Sequence, residues 1–380
     1  MMGEFLYQGE EGYCWAKHVE HRGKAGALLF YRNPDTSKLH AVGQRGMQEM
    51  YAAVEAVEAV LDDLSFFVFF GAYDPFHAGA DVTEFDGELD YGAVRSHIHL
   101  GTELDARIKA MWPRLRTVAI FAGERYGGSA EWPLFAEWGV ADDKTRVQFS
   151  EVHLGIIPGW NGVLNLLLKS DALNARYMAQ TGDPVSAEQM LKMGLVQKVV
   201  STPAPPNRRE TPGIEWPATW AAHSEVCQRL LLDAALDLAT QDATPTRLAG
   251  FQLATEEELA AEVQRRTELE PYKELRARIE LEAAGIDLEA EPGKMKALAK
   301  QVARELAALG KPLAPRAVAA VADFVERWGG FPPQQLLERY AEAGREEADL
   351  CADLMDTEHR RIGVGAILSR SPAEKITVFE

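Results

Sequence analysis

The chain reads as an α/β protein whose second half is largely helical, and three observations predict this. Over residues 1–200, short apolar runs rich in aromatic and β-branched residues alternate with stretches of helical spacing. Pro203, Pro205, Pro206, Pro212 and Pro217 then interrupt the alternation. From 219 to 310 the composition turns to Ala, Leu, Glu and Arg, residues of high helix propensity. Strands that alternate with helices pair in parallel through crossovers, so a parallel sheet is expected in the first half.

The elements follow in order. Gly26-Ala27-Leu28-Leu29-Phe30-Tyr31 reads as a strand. Residues 47–64 place Met47, Met50, Tyr51, Val54, Val57, Val60, Leu61 and Leu64 at helical spacing. Ser65-Phe66-Phe67-Val68-Phe69-Phe70-Gly71 is apolar throughout and reads as a strand buried on both faces. A helix over 93–112 and a strand at Thr117-Val118-Ala119-Ile120-Phe121 come next. The prolines at 201–218 mark a linker or an irregular surface segment. Residues 219–310 are expected to be helical, with Thr255 capping an acidic first turn of Glu256-Glu257-Glu258. Residues 315–370 predict two or three more helices, broken at Gly329-Gly330 and Pro332-Pro333. The chain therefore divides into a core at 1–200, a Pro-rich linker with an extra helical segment at 201–310, and a C-terminal helical region at 311–380.

Bulk properties bound the function. The 380 residues are 47% hydrophobic and 26% charged, ordinary for a globular protein and enough for one large domain or a core with an appended one. No stretch is apolar for long enough to span a bilayer, and the first residues lack the basic-then-apolar order of a signal peptide. A cytoplasmic location without a membrane partner is expected. The net charge of −18 disfavours nucleic acid, whose binding needs basic surface. Cys14, Cys227 and Cys351 show no CxxC or Cys/His metal spacing, so free thiols and no metal site are expected.

The chemistry concentrates in two stretches. Tyr126-Gly127-Gly128-Ser129-Ala130-Glu131 and Phe149-Ser150-Glu151-Val152-His153-Leu154-Gly155-Ile156-Ile157-Pro158-Gly159 each set a glutamate beside a glycine-rich turn in apolar surroundings. Two carboxyls held in an apolar site can have their proton affinities pushed apart and divide acid and base work. Neighbouring glycines leave backbone N–H groups free to meet a ligand. The pattern points to the reaction of an activated carbonyl compound.

These residues resemble the crotonase, or enoyl-CoA hydratase/isomerase, superfamily. The resemblance rests on His77-Ala78-Gly79-Ala80-Asp81, on 127–131, on 151–159, and on Thr181-Gly182-Asp183-Pro184-Val185-Ser186-Ala187-Glu188-Gln189 running on through Gly194-Leu195-Val196 to Val199-Val200. It covers 25–200 in register and 311–380 more loosely. It implies a crotonase-like spiral of ββα repeats, with a C-terminal helical region that builds trimers or hexamers. The implied ligand is an acyl-CoA thioester, with no cofactor beyond the coenzyme A of the substrate. By resemblance, the Ala80 and Gly128 N–H groups form the oxyanion hole, Glu131 handles water and Glu151 transfers the proton. Ala78, Asp81, Arg370 and Lys375 match coenzyme A-binding positions, and Asp81 reads equally as a turn residue. His77, His153 and Trp160 are acyl-pocket candidates, although residues of this kind in apolar surroundings are more often packed core. On a strand, His153 would share the face of Glu151.

Departures from the family bear on substrate choice. Thr117 lies in Leu115-Arg116-Thr117-Val118, where Lys-Pro-Val is usual, and Ser129 replaces a third glycine. Trp160-Asn161 stand where small residues are common. The helical segment within 201–310 is the largest departure, and a lid, an oligomer contact and an added subdomain are all open for it. Keeping both glutamates favours a lyase that hydrates an α,β-unsaturated acyl-CoA. A thioester or ring-opening hydrolase, a double-bond isomerase, and a non-catalytic scaffold of the same fold are the alternatives.

Overall fold

The computed structural model describes residues 2–34, 41–74, 76–85, 90–206, 216–287, 291–369 and 371–379. The chain opens on an antiparallel meander of β1 (Met2–Gln8), β2 (Cys14–His21) and β3 (Lys24–Tyr31). Arg22 and Gly23 join β2 to β3 with φ of 51° and 73°, the positive values that a two-residue hairpin turn demands. The sequence reading found only the last of these three strands and expected parallel pairing alone.

From β3 onward the winding alternates strand and helix. In order come α1 (Gln44–Glu58), β4 (Phe66–Gly71), β5 (Phe76–His77), α2 (Tyr91–Met111), β6 (Arg116–Phe121), β7 (Glu124–Tyr126), α3 (Gly128–Glu131), β8 (Trp138–Asp142) and β9 (Arg146–Gln148). Next are α4 (Gly162–Lys169), α5 (Ala172–Thr181), β10 (Val185–Ser186), α6 (Ala187–Lys192) and β11 (Lys198–Val200). Among the described residues one sheet has seven strands in the order β1-β2-β3-β4-β6-β8-β11, parallel from β3 to β11. A second has four, β10-β9-β7-β5, in which β5, β7 and β9 run parallel. This is the mixed α/β fold expected, with a parallel sheet at its centre.

Strand β4 shows why the large sheet is buried on both faces. Its side chains alternate with a period of two. Phe67 and Phe69 join Met47, Met50, Val54, Leu104 and Ile108 of α1 and α2. Phe66, Val68 and Phe70 join Cys227, Leu231, Ala235 and Leu238 on the opposite face. Those last residues belong to α7 (Trp216–Thr240), the first helix of the extra segment. It covers the face of the sheet opposite α1 and α2. Full burial of a side chain such as Leu231 contributes about 1.5–3 kcal/mol.

The remaining helices are α8 (Glu256–Thr267), α9 (Glu270–Ala284), α10 (Pro292–Leu309), α11 (Pro315–Trp328), α12 (Pro333–Glu338), α13 (Tyr340–Met355) and α14 (Glu358–Leu368). Thr255 caps α8 as expected, in a reciprocal capping box with Glu258. Two expectations need correction. Residues 241–255 are not helical, because Asn174 holds them as an extended strap: Nδ2 donates to Phe251 O (2.8 Å) and Oδ1 accepts from Leu253 N (2.9 Å). Among the described residues the C-terminal region has four helices rather than two or three, since 333–338 folds as a separate turn of helix before α13. Tyr272, Leu275 and Ile279 of α9 and Leu298 and Val302 of α10 pack on Ala373, Ile376 and Val378 of the C-terminal tail. No helix among the described residues is long and apolar enough to cross a membrane.

Candidate active site

Two glycines bring two loops into backbone contact. Gly127, after β7, has φ 54° and ψ −132°, which only glycine adopts readily. Gly79, after β5, has φ 48°. A Cβ at Gly79 would lie 2.3 Å from Tyr126 O and 3.0 Å from Gly128 N, so the 79–80 loop sits directly against the 126–128 turn. Ser129 locks the junction: its Oγ accepts from Tyr126 N (3.0 Å) and donates to His77 O (2.9 Å). Here the serine that replaces a third glycine is a strut. Neither the Ala80 N–H nor the Gly128 N–H has a hydrogen-bond partner among the described residues.

The two glutamates lie in different environments. Glu131 ends α3 and is buried, and its Oε1 accepts from Trp160 N (2.8 Å) and Gly162 N (3.0 Å). Asn161 between those donors takes a left-handed conformation (φ 63°), which turns both N–H groups onto one oxygen. Burial pushes the Glu131 carboxyl up to about 7, against the lowering effect of these N–H groups, and the Asp105 charge adds to the rise. Glu151 sits on a 3₁₀ turn, Ser150–Leu154, and not on a strand. His153 therefore does not share its face by strand alternation. Burial raises the Glu151 carboxyl well above the usual range, with further contributions from Glu131 and Glu347. Its Oε2 has no hydrogen-bond partner among the described residues. A Cβ at Gly127 would stand 2.8 Å from Glu151 Oε1, so glycine there admits the carboxyl.

A cavity of about 790 Å³ joins these parts. Ala78, Ala80, Asp81, Gly128, Glu131, Glu151, His153, Trp160 and Lys375 all line it. His77 does not: its side chain is buried on the two-residue strand β5, outside the lining. Arg370 lies outside the described residues. Asp81 holds its own turn, with Oδ1 accepting from Thr83 N (3.0 Å) and Thr83 Oγ1 (2.6 Å). His153 donates from Nδ1 to Pro312 O (3.0 Å), and burial keeps its imidazole neutral by lowering it to about 3. Among the described residues no cluster of three or more His, Cys, Asp or Glu could hold a metal ion.

Sequence reasoning missed four contributors. His97 on α2 and Cys351 on α13 line the cavity, and Lys311 stands at it after α10. Glu347 on α13 is fully buried and accepts from Val163 N and Leu164 N, both at 2.9 Å, which ties the first turn of α4 beside Glu131. The extra segment also reaches the site. Buried Arg266 of α8 donates to Lys311 O (2.7 Å) and Thr181 O (2.9 Å), and Ala314 N donates to Val152 O (3.3 Å) on the Glu151 turn. The 310–314 turn is thereby fastened to the helix turn that carries Glu151. Each of these residues is far in sequence from the glycine motifs, and no local pattern marks it.

Residues 33–277 match the family described as enoyl-CoA hydratase/isomerase. The peroxisomal bifunctional enzyme of Cavia porcellus is 29% identical over 178 residues, which are 46% of this chain and 23% of that enzyme. The fatty acid oxidation complex subunit alpha of Pseudomonas putida (strain GB-1) is 32% identical over 164 residues, 41% of this chain and 22% of that subunit. The chain thus spans less than a quarter of the length of these curated relatives. A solved enoyl-CoA hydratase from Rhodobacter sphaeroides 2.4.1 aligns with a TM-score of 0.54 at 18% identity, over 92% of this chain and 89% of that one. A carnitinyl-CoA dehydratase from Mycobacterium thermoresistibile aligns with a TM-score of 0.54 at 19% identity, over 93% and 90%. At these identities the structural likeness speaks to fold.

Proposed function

The chain belongs to the enoyl-CoA hydratase/isomerase family, and on that premise we propose that it adds water to, or removes it from, an α,β-unsaturated acyl-CoA thioester. One observation carries the reading. Two buried glutamates, both held above the usual carboxylate range by burial, line the same apolar cavity as two unpartnered backbone N–H groups.

The Ala80 and Gly128 N–H groups donate to the thioester oxygen. Negative charge grows there as the enolate forms, so preorganised donors stabilise the transition state more than the ground state. Glu131, half ionised near neutral pH, takes a proton from water as the water oxygen attacks Cβ. Glu151, whose carboxyl burial raises well above the usual range, delivers its proton to Cα. Glu131 has then gained the proton that Glu151 spent, and exchange through solvent resets the pair. Lys375 and Lys311 supply positive charge for the coenzyme A phosphates at the cavity. The reaction so written uses no cofactor beyond the coenzyme A of the substrate. A cytoplasmic homotrimer or hexamer completes the proposal.

The test is loss of enoyl-thioester absorbance with crotonyl-CoA and a cyclic enoyl-CoA. Wild type should consume the chromophore without releasing thiol, and Glu131→Gln or Glu151→Gln should each lower turnover by roughly 10²–10⁴-fold. Thiol release would establish a hydrolase instead, and a shifted double bond without added water an isomerase. Full turnover in both variants would remove the acid–base assignment.

A further inference from the structure

Trp160 occupies a place that two glycines make for it. A Cβ at Gly128 would lie 2.4 Å from Trp160 Cζ3, and one at Gly101 would lie 2.2 Å from Trp160 Cδ1. Both values are far inside contact distance, so a side chain at either position would displace the indole. The ring therefore fills the space between α2 and the turn that carries an oxyanion donor. It is 3% exposed and lines the cavity. His97, one helical turn before Gly101, meets it edge-on with centroids 5.5 Å apart.

The wall has no room to retreat. A Cβ at Gly159 would stand 2.8 Å from Cys351 Sγ and 3.3 Å from Ile98 Cγ2, so the backbone behind the ring is wedged between α2 and α13. Thr102 Oγ1 donates to Gly159 O (3.3 Å) on the same side. Trp160 N donates to Glu131 Oε1, so the residue that carries the ring also anchors the carboxyl. An acyl chain held by the Gly128 N–H meets an aromatic ring in contact with Gly128 itself.

We propose that Trp160 is the specificity-determining residue of this site: its indole closes the acyl end of the cavity, admitting compact acyl groups and excluding extended linear chains. This rests on the acyl-CoA reading of the site. The wall acts through its side chain, whereas the contact with Glu131 is made by backbone. Trimming the ring therefore changes acyl choice without removing the anchor of the carboxyl.

The experiment compares wild type, Trp160→Phe and Trp160→Ala on crotonyl-CoA and the ten-carbon trans-2-decenoyl-CoA. Binding of the unreactive esters butyryl-CoA and decanoyl-CoA is measured alongside by calorimetry. Wild type should favour the four-carbon over the ten-carbon substrate by at least 100-fold in kcat/KM. Trp160→Ala should raise the ten-carbon value at least tenfold, with Trp160→Phe shifting the ratio the same way by a smaller factor. An unchanged ratio in Trp160→Phe, the variant that keeps an aromatic ring in the core, would overturn the proposal. So would equal use of both lengths by wild type. If wild type turns over neither substrate but binds butyryl-CoA tighter, and Trp160→Ala reverses that order, the wall stands and the hydratase reading falls. Equal binding of both esters by all three proteins would sink the wall.

Discussion

A single methyl group at Gly79 tests whether backbone geometry, more than any side chain, sets the rate. The φ of 48° there costs a non-glycine residue about 1–2 kcal/mol. The new Cβ would sit 2.3 Å from Tyr126 O, which cannot rotate aside because it belongs to the backbone. Relief needs a shift of about 1 Å between the 79–80 loop and the 126–128 turn, the movement that parts the Ala80 and Gly128 N–H groups. Losing one oxyanion donor costs about 2.7–4 kcal/mol in the transition state, or roughly 10²–10³ in kcat. Gly79→Ala should therefore lower kcat by that factor with a smaller change in KM, and lower stability by about 1–3 kcal/mol. Steady-state kinetics on crotonyl-CoA and a urea titration read both. A kcat within threefold of wild type in a folded variant, or a loss confined to KM, would refute the argument.

Three further outcomes follow from the buried acids. In the proposed hydration Glu131 is ionised when it accepts a proton from water, so kcat/KM should rise with pH through about 7, and Glu131→Gln should abolish that limb. Its folded affinity lies above the unfolded value of 4.5, so its contribution to stability is complete below 4.5 and is lost as pH rises through about 7. The stability gap between wild type and Glu131→Gln, measured in urea at pH 5 and pH 8, should therefore move against wild type at the higher pH; a constant gap would contradict this. Glu347→Ala would leave Val163 N–H and Leu164 N–H without acceptors in a buried helix start, at about 1–3 kcal/mol each, and a loss below 1 kcal/mol would show that α4 does not depend on it.

Much of the site was legible in sequence because its chemistry is local. A glycine needed at positive φ, a glutamate three residues after Gly128, and a threonine three residues before Glu258 are decided by neighbours along the chain. The alternation of apolar runs and helical spacing is equally local, and so is the two-faced burial of β4. His77 failed as a lining residue because side chains on a strand face opposite ways from one residue to the next, and register is set only by pairing with β7. Glu151 lies not on a strand but on a 3₁₀ turn, which ends where Gly155 takes a φ of 80° against the backbone of His359.

What the sequence determined by itself is the pair of glycine turns at Gly79 and Gly127 and the positions of the two glutamates along the chain, since each is decided by neighbours within one turn. The tertiary structure alone decided which distant groups meet them. Glu347 reaches α4 across 184 positions and Arg266 reaches Lys311 across 45. Asp105, Glu347 and Glu131 are buried close enough for their charges to act on one another. Proton affinity there is a property of burial and of neighbouring charge, and neither exists until the sheet, α2, α13 and the extra helices have closed around the same cavity.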